Sequence, residues 1–497
     1  MLVKSIRLWR VVLPMKFDFR TAKGLVRERH TLVVEVETDR GFRGFGEVVA
    51  FDTPFYTAET IHTSEEWLRK VIPYFIGYTM ENPWDCYTWE CKQITGQSEM
   101  GSKENTRAIN EVCTKDTALD LLRHARLPMA WAGLENALLH AFFEEANEFM
   151  IGSLVESSLG ALEALDPIVS PESMDNIRCS GSVRDAHAWE NLQGGRTREY
   201  LQGGSTEESL QGEHARGTLQ GVHVFETLPG TLPRTGSSRC ALNEMIPLGL
   251  VFGDMPISRL LDSIENAVAQ GCKRVKIKLT PKDALERLAA VRAQFPNLEL
   301  AADANRSFSS ADWAMVKAFD EYNLKSLEEP FEVVGSAAHT YSNLPVEFWQ
   351  GWQTPLSFDE SVQSLEELKA LHRVFSALVV DIAMQPILNV KIGRLGGLRE
   401  TLRCIAYCKA HNLGFWIGSM VESGISKILH VELAALPQVW MAGDLSDSKR
   451  YFEEDLIIPP IQFDQGYMTV PRGSGLGVKV NYDILQAYGT IIMDASL

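Results

Sequence analysis

The sequence predicts an α/β protein in which a β/α barrel follows an α+β domain. From about residue 247 onward, short apolar runs alternate with amphipathic helical patterns, which favours a parallel sheet closed into a barrel. Five charged residues close these runs, at steps of 25, 25, 31 and 32 residues: Lys278, Asp303, Glu328, Asp359 and Lys391. A barrel of eight units in about 250 residues advances by a similar step, so these side chains are expected at one mouth.

The first part of the chain, residues 1–128, is predicted to form the α+β domain. Residues 1–50 have strand patterns and residues 58–78 have the apolar spacing of a helix. Residues 17–24 are polar and end in glycine, which predicts a mobile loop between the first two strands. Residues 95–128 are atypical, because they are polar and lack a periodic pattern. The last residues, 451–497, contain turns and short strands and are expected to return to this domain.

The barrel is assigned to residues 129–450, interrupted by an insertion at 155–243. Residues 129–148 are apolar on all sides, as expected of a buried helix. Within the insertion, Leu-Gln-Gly or Leu-Pro-Gly units recur every nine residues, starting at Leu192, Leu201, Leu210, Leu219 and Leu228. Calcium-binding nine-residue repeats need aspartates that these units lack. Because the segment also has few large apolar residues, we predict a disordered insertion.

The barrel units themselves follow from the alternation of short and long apolar patterns. The predicted strands are 248–252, 275–279, 298–303, 324–328, 387–391 and 415–420. The predicted helices are 256–270, 281–294, 309–322, 361–375 and 397–411. These lengths fit strands of four to eight residues and helices of ten or more.

The composition is that of an ordinary globular protein and argues against several partners. The 497 residues carry a net charge of −17, which disfavours nucleic acid and anionic membrane surfaces. Eight cysteines are scattered without zinc-binding spacing, which favours a reducing cytoplasmic setting. No apolar run approaches the roughly 18 residues of a membrane span. Three cationic residues interrupt residues 1–15, so no signal peptide is predicted.

Three carboxylates at the ends of consecutive strands predict a cation site. Asp303, Glu328 and Asp359 are expected to converge, because the strand ends of a barrel face one mouth. Their hard oxygen atoms suit Mg²⁺, with Mn²⁺ as the alternative. In the competing interpretation each carboxylate caps the helix that follows it. Their recurrence in three consecutive units, flanked by lysines, favours the metal.

The lysines predict proton transfer. Lys276 and Lys278 share one face of a strand whose other face is apolar. Lys278 is the candidate base, and its pKa would have to fall from about 10.4 to about 7–8 for this role. A second ammonium and a divalent cation nearby would both lower it. Lys391 would then face the opposite side of the substrate, unless all three lysines are merely solvated strand ends.

Short motifs recur along the chain in a fixed order. They are Lys276-Ile-Lys278, Asp303-Ala-Asn305, Glu328-Glu-Pro330, Asp359-Glu-Ser361, Asn389-Val-Lys391-Ile-Gly-Arg394, Gly418–Gly424, Gly443–Asp447, Tyr451–Asp455 and, earlier, Glu28–Leu32, Gly44–Glu47 and Phe55–Thr60. The ordered set resembles the enolase superfamily, in its muconate-lactonizing subgroup, close to o-succinylbenzoate synthases and N-acylamino acid racemases. The segments 95–128 and 155–243 have no counterpart in that pattern.

The resemblance implies a modified (β/α)7β TIM-type barrel under an α+β capping domain built from both chain ends. It implies Mg²⁺ on Asp303, Glu328 and Asp359, with Lys278 and Lys391 as the opposed acid and base. It also implies a substrate-binding role for eight residues: Lys276, Asn305, Arg20, Tyr56, Arg394, Gly418, Ser419 and Met420.

Three functions stay open under this resemblance. The first is syn-dehydration of a cyclohexadiene carboxylate to o-succinylbenzoate, a step towards menaquinone, through an enediolate formed when Lys278 removes the α-proton. The second is racemisation of N-acylamino acids by the same two lysines, which Arg394 keeps open. The third is an inactive homologue disrupted by its insertions. The expected partner is a small carboxylate in the cytoplasm, and a homo-oligomer is compatible with the sequence.

Overall fold

The computed structural model describes residues 1–20, 25–54, 56–87, 127–165, 242–378 and 385–497. Nearly all of the atypical segment 95–128 and residues 166–241 of the predicted insertion lie outside the described residues. The strand ends at the mouth of the barrel and the four strands of the capping sheet lie within them.

Both chain ends form the capping sheet, as the sequence predicts. Its strands are β1 (Val3–Arg20), β2 (Leu25–Thr38), β3 (Arg43–Val48) and the C-terminal β16 (Gly489–Ser496), antiparallel in the order β16-β1-β2-β3. Of the loop predicted at 17–24, residues 21–24 lie outside the described residues. Residues 17–20 belong to β1, and Phe19 and Arg20 pair with Val26 and Leu25 of β2. The first half of the predicted loop therefore belongs to the strand β1.

Two helices cover the capping sheet. They are α1 (Ile61–Val71), followed by a 3₁₀ turn at Ile72–Phe75, and α2 (Pro128–Ala146). Helix α2 lies directly on β3, and this close approach requires glycine on the strand. A Cβ atom at Gly44 would fall inside van der Waals contact of the Ala137 carbonyl oxygen and the Ala141 amide nitrogen. The glycine therefore sets the distance between the helix and the sheet.

We expect Gly44→Ala to lower the free energy of unfolding by about 1–3 kcal/mol, because backbone atoms cannot move aside as a side chain can. Urea unfolding would measure this loss. Gly152→Ala is the matched control. Its Cβ would approach only the Phe149 ring, 2.7 Å from Cδ1, and alanine favours the helix. An equal loss in both variants would contradict the close-approach explanation.

The start of the predicted insertion is corrected by the structure. Helix α3 (Met150–Leu165) extends through its first eleven positions, 155–165. Leu154 and Val155 are buried in the same hydrophobic cluster as the barrel. The sequence analysis placed the boundary too early because the small and polar residues after Val155 hide the helical pattern.

The barrel strands follow one another in sequence order within one parallel sheet, preceded by β4 (Met245–Pro247). They are β5 (Gly249–Phe252), β6 (Arg274–Lys278), β7 (Glu299–Asp303), β8 (Ser326–Glu328), β9 (Leu356–Phe358), β10 (Ile387–Val390) and β11 (Phe415–Ile417). The helices that connect them are α4 (Ile257–Ala269), α5 (Ala284–Gln294), α6 (Trp313–Lys317), α7 (Ala337–Ser342), α8 (Val346–Trp349), α9 (Leu365–Leu378), α10 (Ile392–Leu395), α11 (Leu398–Ala410) and α12 (Gly424–Ala434).

The segment 440–444 takes the place of an eighth strand. Its Trp440 and Asp444 amides donate to the carbonyls of Phe415 and Ile417, at 2.8 and 3.2 Å, on the β11 side. Gly443 forms a parallel bridge with Leu248, next to β5. The segment thus joins the two edges of the seven-stranded sheet. Seven helical connections and this last strand make the fold a modified (β/α)7β barrel under an α+β cap.

Two predicted helices differ from the structure. The helix predicted at 309–322 is three short pieces, because 3₁₀ turns at Ser310–Asp312 and Ala318–Tyr322 flank α6. The helix predicted from 361 begins at Leu365. The backbone amide and hydroxyl of Ser361 instead donate to the Glu329 carboxylate, at 2.9 and 2.6 Å. This contact keeps the residues after Asp359 in a turn at the mouth.

The remaining elements lie after the barrel. They are a 3₁₀ turn at Ser448–Arg450, the strand pair β12 (Ile457–Ile458) and β15 (Lys479–Val480), the strands β13 (Phe463–Asp464) and β14 (Tyr467–Thr469), which join β4, and α13 (Tyr482–Tyr488). In the part of the chain that is described, no helix combines the length and the apolar character that crossing a membrane requires.

Candidate active site

The five charged residues predicted to share the mouth do end or follow consecutive strands. Lys278, Asp303 and Glu328 are the last residues of β6, β7 and β8, and they are paired across the sheet. Asp359 and Lys391 are the first residues after β9 and β10. In the sheet order, β6 and β10 enclose β7, β8 and β9. One lysine therefore stands on each side of three carboxylates.

Lys276 lies deeper in the barrel and bridges carboxylates. Its Nζ atom is 2.7 Å from Glu328, 3.3 Å from Asp303 and 2.5 Å from Asp444. The ammonium also lies over the Trp416 ring, 4.9 Å from its centroid. Burial lowers the pKa of Lys276, but these carboxylates outweigh burial and hold the pKa well above its usual value. Lys276 is thus a fixed positive charge under the mouth.

Lys278 lies nearer the opening. Its Nζ atom donates to Asp303 at 2.6 Å and to the side-chain oxygen of Asn305 at 2.7 Å. Asn305 has a φ of 45°, in the left-handed region that asparagine tolerates, and its backbone amide donates to Asp303 at 2.9 Å. The turn after β7 therefore brings Asn305 to Lys278, and the substrate-binding role implied for Asn305 stays a prediction.

Lys391 has a different environment on the other side. Its Nζ atom is 2.7 Å from Asp359 and lies 4.9 Å from the centroid of the Tyr56 ring. The Tyr56 hydroxyl, which the cap supplies, donates to Asp359 at 2.6 Å. Burial lowers the pKa of Lys391, yet the negative charge of Asp359 outweighs it and the pKa is raised. Lys391 therefore remains an ammonium.

The three carboxylates are near enough to repel one another. Burial raises the pKa of Glu328 to about 8; Lys276 opposes the rise, and the charges of Asp303 and Asp359 add to it. Burial also raises the pKa of Asp359, but Lys391 and a neighbouring guanidinium reverse the effect and lower it. Glu328 is thus the carboxylate whose charge is compensated least.

Because a divalent cation would offset this repulsion, the three carboxylates can be compared with a metal site. Within the described ranges, no three His, Cys, Asp or Glu side chains are gathered closely enough to hold an ion as they stand. Asp303, Glu328 and Asp359 each contact a lysine instead, so the predicted convergence is incomplete. Their donor atoms are nevertheless hard oxygens, and the three side chains are buried and repel one another. Such a set fits Mg²⁺ or Mn²⁺.

Arg394 is placed differently from the prediction. The resemblance implies that it binds substrate, but its side chain is fully buried. The guanidinium pairs with Asp359 and donates to the carbonyls of Val362, at 2.9 Å, and Asn389. Helix α10 directs the side chain to Asp359 and to these two carbonyl groups. The geometry favours a positioning role, in which Arg394 fixes Asp359.

The other predicted substrate residues surround the mouth in part. Gly418 lies against Lys391, since a Cβ atom there would be 2.9 Å from the lysine Cε. The Ser419 hydroxyl donates to the Asp444 carbonyl at 2.9 Å, and Met420 packs into the core of the cap. Arg20 is the last residue of β1, and the position of its side chain lies outside what the structure describes.

Sequence analysis assigned no role to three side chains that contact the site residues: Asp444, Arg274 and Asn389. Asp444 contacts Lys276 and Arg274, and the amide of Asn389 donates to Glu328 at 2.9 Å. Burial raises the pKa of Asp444, but Lys276 and Arg274 reverse this and lower it to about 2. The sequence pattern could have identified Asp444, because this residue ends the eighth barrel strand, just as Asp303 and Glu328 end their strands.

The fold and the site define a class of protein, a capped (β/α)7β barrel with lysines and carboxylates at its mouth. Residues 259–484 match the family described as enolase C-terminal domain-like. The chain is thus similar to members of the enolase superfamily.

Its relatives include a synthase and a racemase. The chain is 27% identical over 489 residues to o-succinylbenzoate synthase of Bacillus subtilis (strain 168), covering 98% of this chain and 97% of that protein. It is 30% identical over 246 residues to N-succinylamino acid racemase of Thermus thermophilus, covering 49% of this chain and 63% of the racemase, which is less than two thirds of its length.

A solved structure shares the fold. The crystal structure of an unknown member of the enolase superfamily from Enterococcus faecalis V583 has a TM-score of 0.65 and 24% sequence identity. The similarity covers 99% of this chain and 98% of that one. At this identity it concerns the fold and not the reaction.

Proposed function

We propose that the chain is a Mg²⁺-dependent o-succinylbenzoate synthase-like lyase that removes water from a cyclohexadiene carboxylate, a step towards menaquinone in the cytoplasm. The observation that carries the proposal is the placement of Lys278 and Lys391 at the ends of the two strands that enclose the three carboxylate strands. An alignment along 97% of a synthase of this name supports it.

The two lysines have unequal roles in this proposal. Lys278, which contacts the neutral amide of Asn305 and one carboxylate, takes the proton α to the substrate carboxylate. Lys391, whose pKa Asp359 keeps high, stays charged and stabilises the negative charge that develops on the substrate. Lys278 then returns its proton to the departing hydroxyl group on the same face. One C–H bond and one C–O bond break, a C=C bond forms, and water leaves.

The metal belongs to the same proposal. Asp303, Glu328 and Asp359 would hold Mg²⁺, which when bound supplies positive charge beside the substrate carboxylate and makes its α-proton more acidic. Lys276 would remain beneath it as a fixed charge. Tyr56 and Gly418 border Lys391, so they would limit the size of the substrate on that side.

The proposal is tested by incubating the purified protein with the cyclohexadiene carboxylate and Mg²⁺ and following o-succinylbenzoate by absorbance. We expect turnover that EDTA abolishes and added Mg²⁺ restores. A cooperatively folded protein that shows no turnover in this assay would contradict the proposal and leave the inactive homologue as the better interpretation.

Binding of the metal can be measured without any substrate. At 100 times its Kd, Mg²⁺ should stabilise the fold by ~2.7 kcal/mol and raise the melting temperature. Asp303→Asn is the matched variant, and it should show a smaller rise because one proposed ligand has lost its charge. KCl at equal ionic strength controls for screening. Equal behaviour of Mg²⁺ and KCl with the wild-type protein would argue against the metal site.

Racemisation of N-acylamino acids is the second candidate, favoured by the presence of an amine on each side and by the similarity to a racemase. Each lysine would then exchange the α-proton of one enantiomer with solvent. In D₂O, both enantiomers of an N-succinylamino acid would take up deuterium. Lys278→Ala and Lys391→Ala would each remove exchange with a different enantiomer. Uptake by neither enantiomer with the wild-type protein would remove this candidate.

A further inference from the structure

Lys276 has three carboxylate neighbours, and only two of them are proposed metal ligands. Glu328 lies 2.7 Å and Asp303 lies 3.3 Å from its Nζ atom. The third, Asp444, is 2.5 Å away and stands on the segment that closes the barrel. It is the one carboxylate partner of Lys276, among the described residues, that has no part in the proposed metal site.

Asp444 is held firmly from several sides. One carboxylate oxygen pairs with Arg274 and the other with Lys276. Its amide donates to the Ile417 carbonyl at 3.2 Å, and its carbonyl accepts from the Ser419 hydroxyl at 2.9 Å. Arg274 is itself fixed, because it donates to the Ala442 carbonyl at 2.6 Å and is fully buried. The Asp444 carboxylate therefore cannot move far from Lys276.

We propose that Asp444 is a positioning residue that retains Lys276 when Asp303 and Glu328 bind the divalent cation. This inference rests on the proposed function. An ammonium that loses two of its three carboxylate neighbours to a metal needs the remaining one, since a buried unpaired charge is unfavourable. Without Asp444, Lys276 would stay on Asp303 and Glu328 and compete with the cation for their oxygen atoms.

The inference is tested by Mg²⁺ titration calorimetry in the absence of substrate, on the wild type and on Asp444→Asn. We expect the variant to bind Mg²⁺ at least tenfold more weakly, because Lys276 competes and a negative charge is lost. Asp447→Asn is the control: it makes the same chemical change three residues along, where the aspartate forms no ion pair among the described residues. Its Kd should stay within twofold of the wild type.

Arg274→Gln distinguishes the proposed role of Asp444 from a purely structural one, because it removes the other partner of the same carboxylate. Both variants should melt at lower temperature than the wild type. Only Asp444→Asn should bind Mg²⁺ more weakly, whereas loss of the positive charge in Arg274→Gln should leave the Kd unchanged or lower it. Equal weakening in both variants would assign the effect to barrel packing and overturn the inference.

A double-mutant cycle keeps the test decisive if Asp444→Asn alone does not fold. In Lys276→Met, the added Asp444→Asn change removes the second charge of a buried pair, which folding tolerates better than one charge alone. It should then alter the Mg²⁺ Kd by less than threefold, since no ammonium remains to compete. A tenfold effect in this background would overturn the inference. A wild-type protein that binds no Mg²⁺ would instead contradict the proposed function.

Discussion

Lys278→Ala is expected to reduce both turnover and α-proton exchange by about 10²–10⁴-fold while the protein stays folded. The amine is buried to nine-tenths, ends β6 at the mouth, and contacts only Asp303 and Asn305 among the described residues. No other amine described on that side can replace it, because Lys276 is committed to three carboxylates deeper in the barrel. Exchange is measured by NMR in D₂O, which reports proton removal even if later steps are slow.

Lys282→Ala provides the matched control for this prediction. Lys282 is an exposed lysine four residues beyond Lys278 and takes part in no ion pair in the described structure. Its replacement should change neither exchange nor turnover. If Lys278→Ala retains exchange within threefold of the wild type and melts as the wild type does, Lys278 is not the base, and the proton must leave from the Lys391 side.

The environments of the two lysines bear on which reaction is favoured. A racemase needs two amines that alternate as base, whereas a syn-dehydratase needs one base and one fixed cation. Asp359 and the Tyr56 ring hold Lys391 as an ammonium. Lys278 shares its single carboxylate, Asp303, with Lys276. The difference favours the lyase, and it is the reason that racemisation is the second candidate.

The strand ends could be predicted from the sequence because charged residues that close apolar runs recur at similar intervals. A charged residue that closes an apolar run marks where a buried strand reaches the mouth, and the spacing counts the units between such residues. For this reason Asp303 and Glu328 fall on the last positions of β7 and β8. The capping sheet was predictable in the same way, from β-branched runs at one end of the chain and short strands at the other.

The direction of side chains beyond the strand ends could not be predicted. Arg394 lies three residues after Lys391 and was expected at the substrate, but α10 turns it under Asp359, where three acceptors receive its guanidinium. The start of α9 was missed because Ser361 donates hydrogen bonds to Glu329, the first residue after β8. Both outcomes depend on contacts between residues that are distant in sequence, and no local pattern records such contacts.

The contact between the cap and the mouth leads to the second large effect. Arg29 of β2 is buried, and its guanidinium donates to the Val421 carbonyl at 2.6 Å, just beyond Met420. It also donates to the carbonyls of His30, Val49 and Ala50, at 2.8, 2.6 and 2.7 Å. A single side chain therefore satisfies four carbonyl oxygens and holds the segment after β11 to the cap.

We expect Arg29→Met to lower the free energy of unfolding by about 3–5 kcal/mol, because buried carbonyls lose their donor and methionine offers none. The segment that carries Gly418 would also lose its anchor, so KM should rise more than kcat falls. Urea unfolding and steady-state kinetics measure the two effects. Arg27→Met, two residues earlier on the same strand and largely exposed, should change stability by less than about 0.5 kcal/mol. Similar stability of the two variants would show that the cap and the barrel mouth do not depend on this guanidinium.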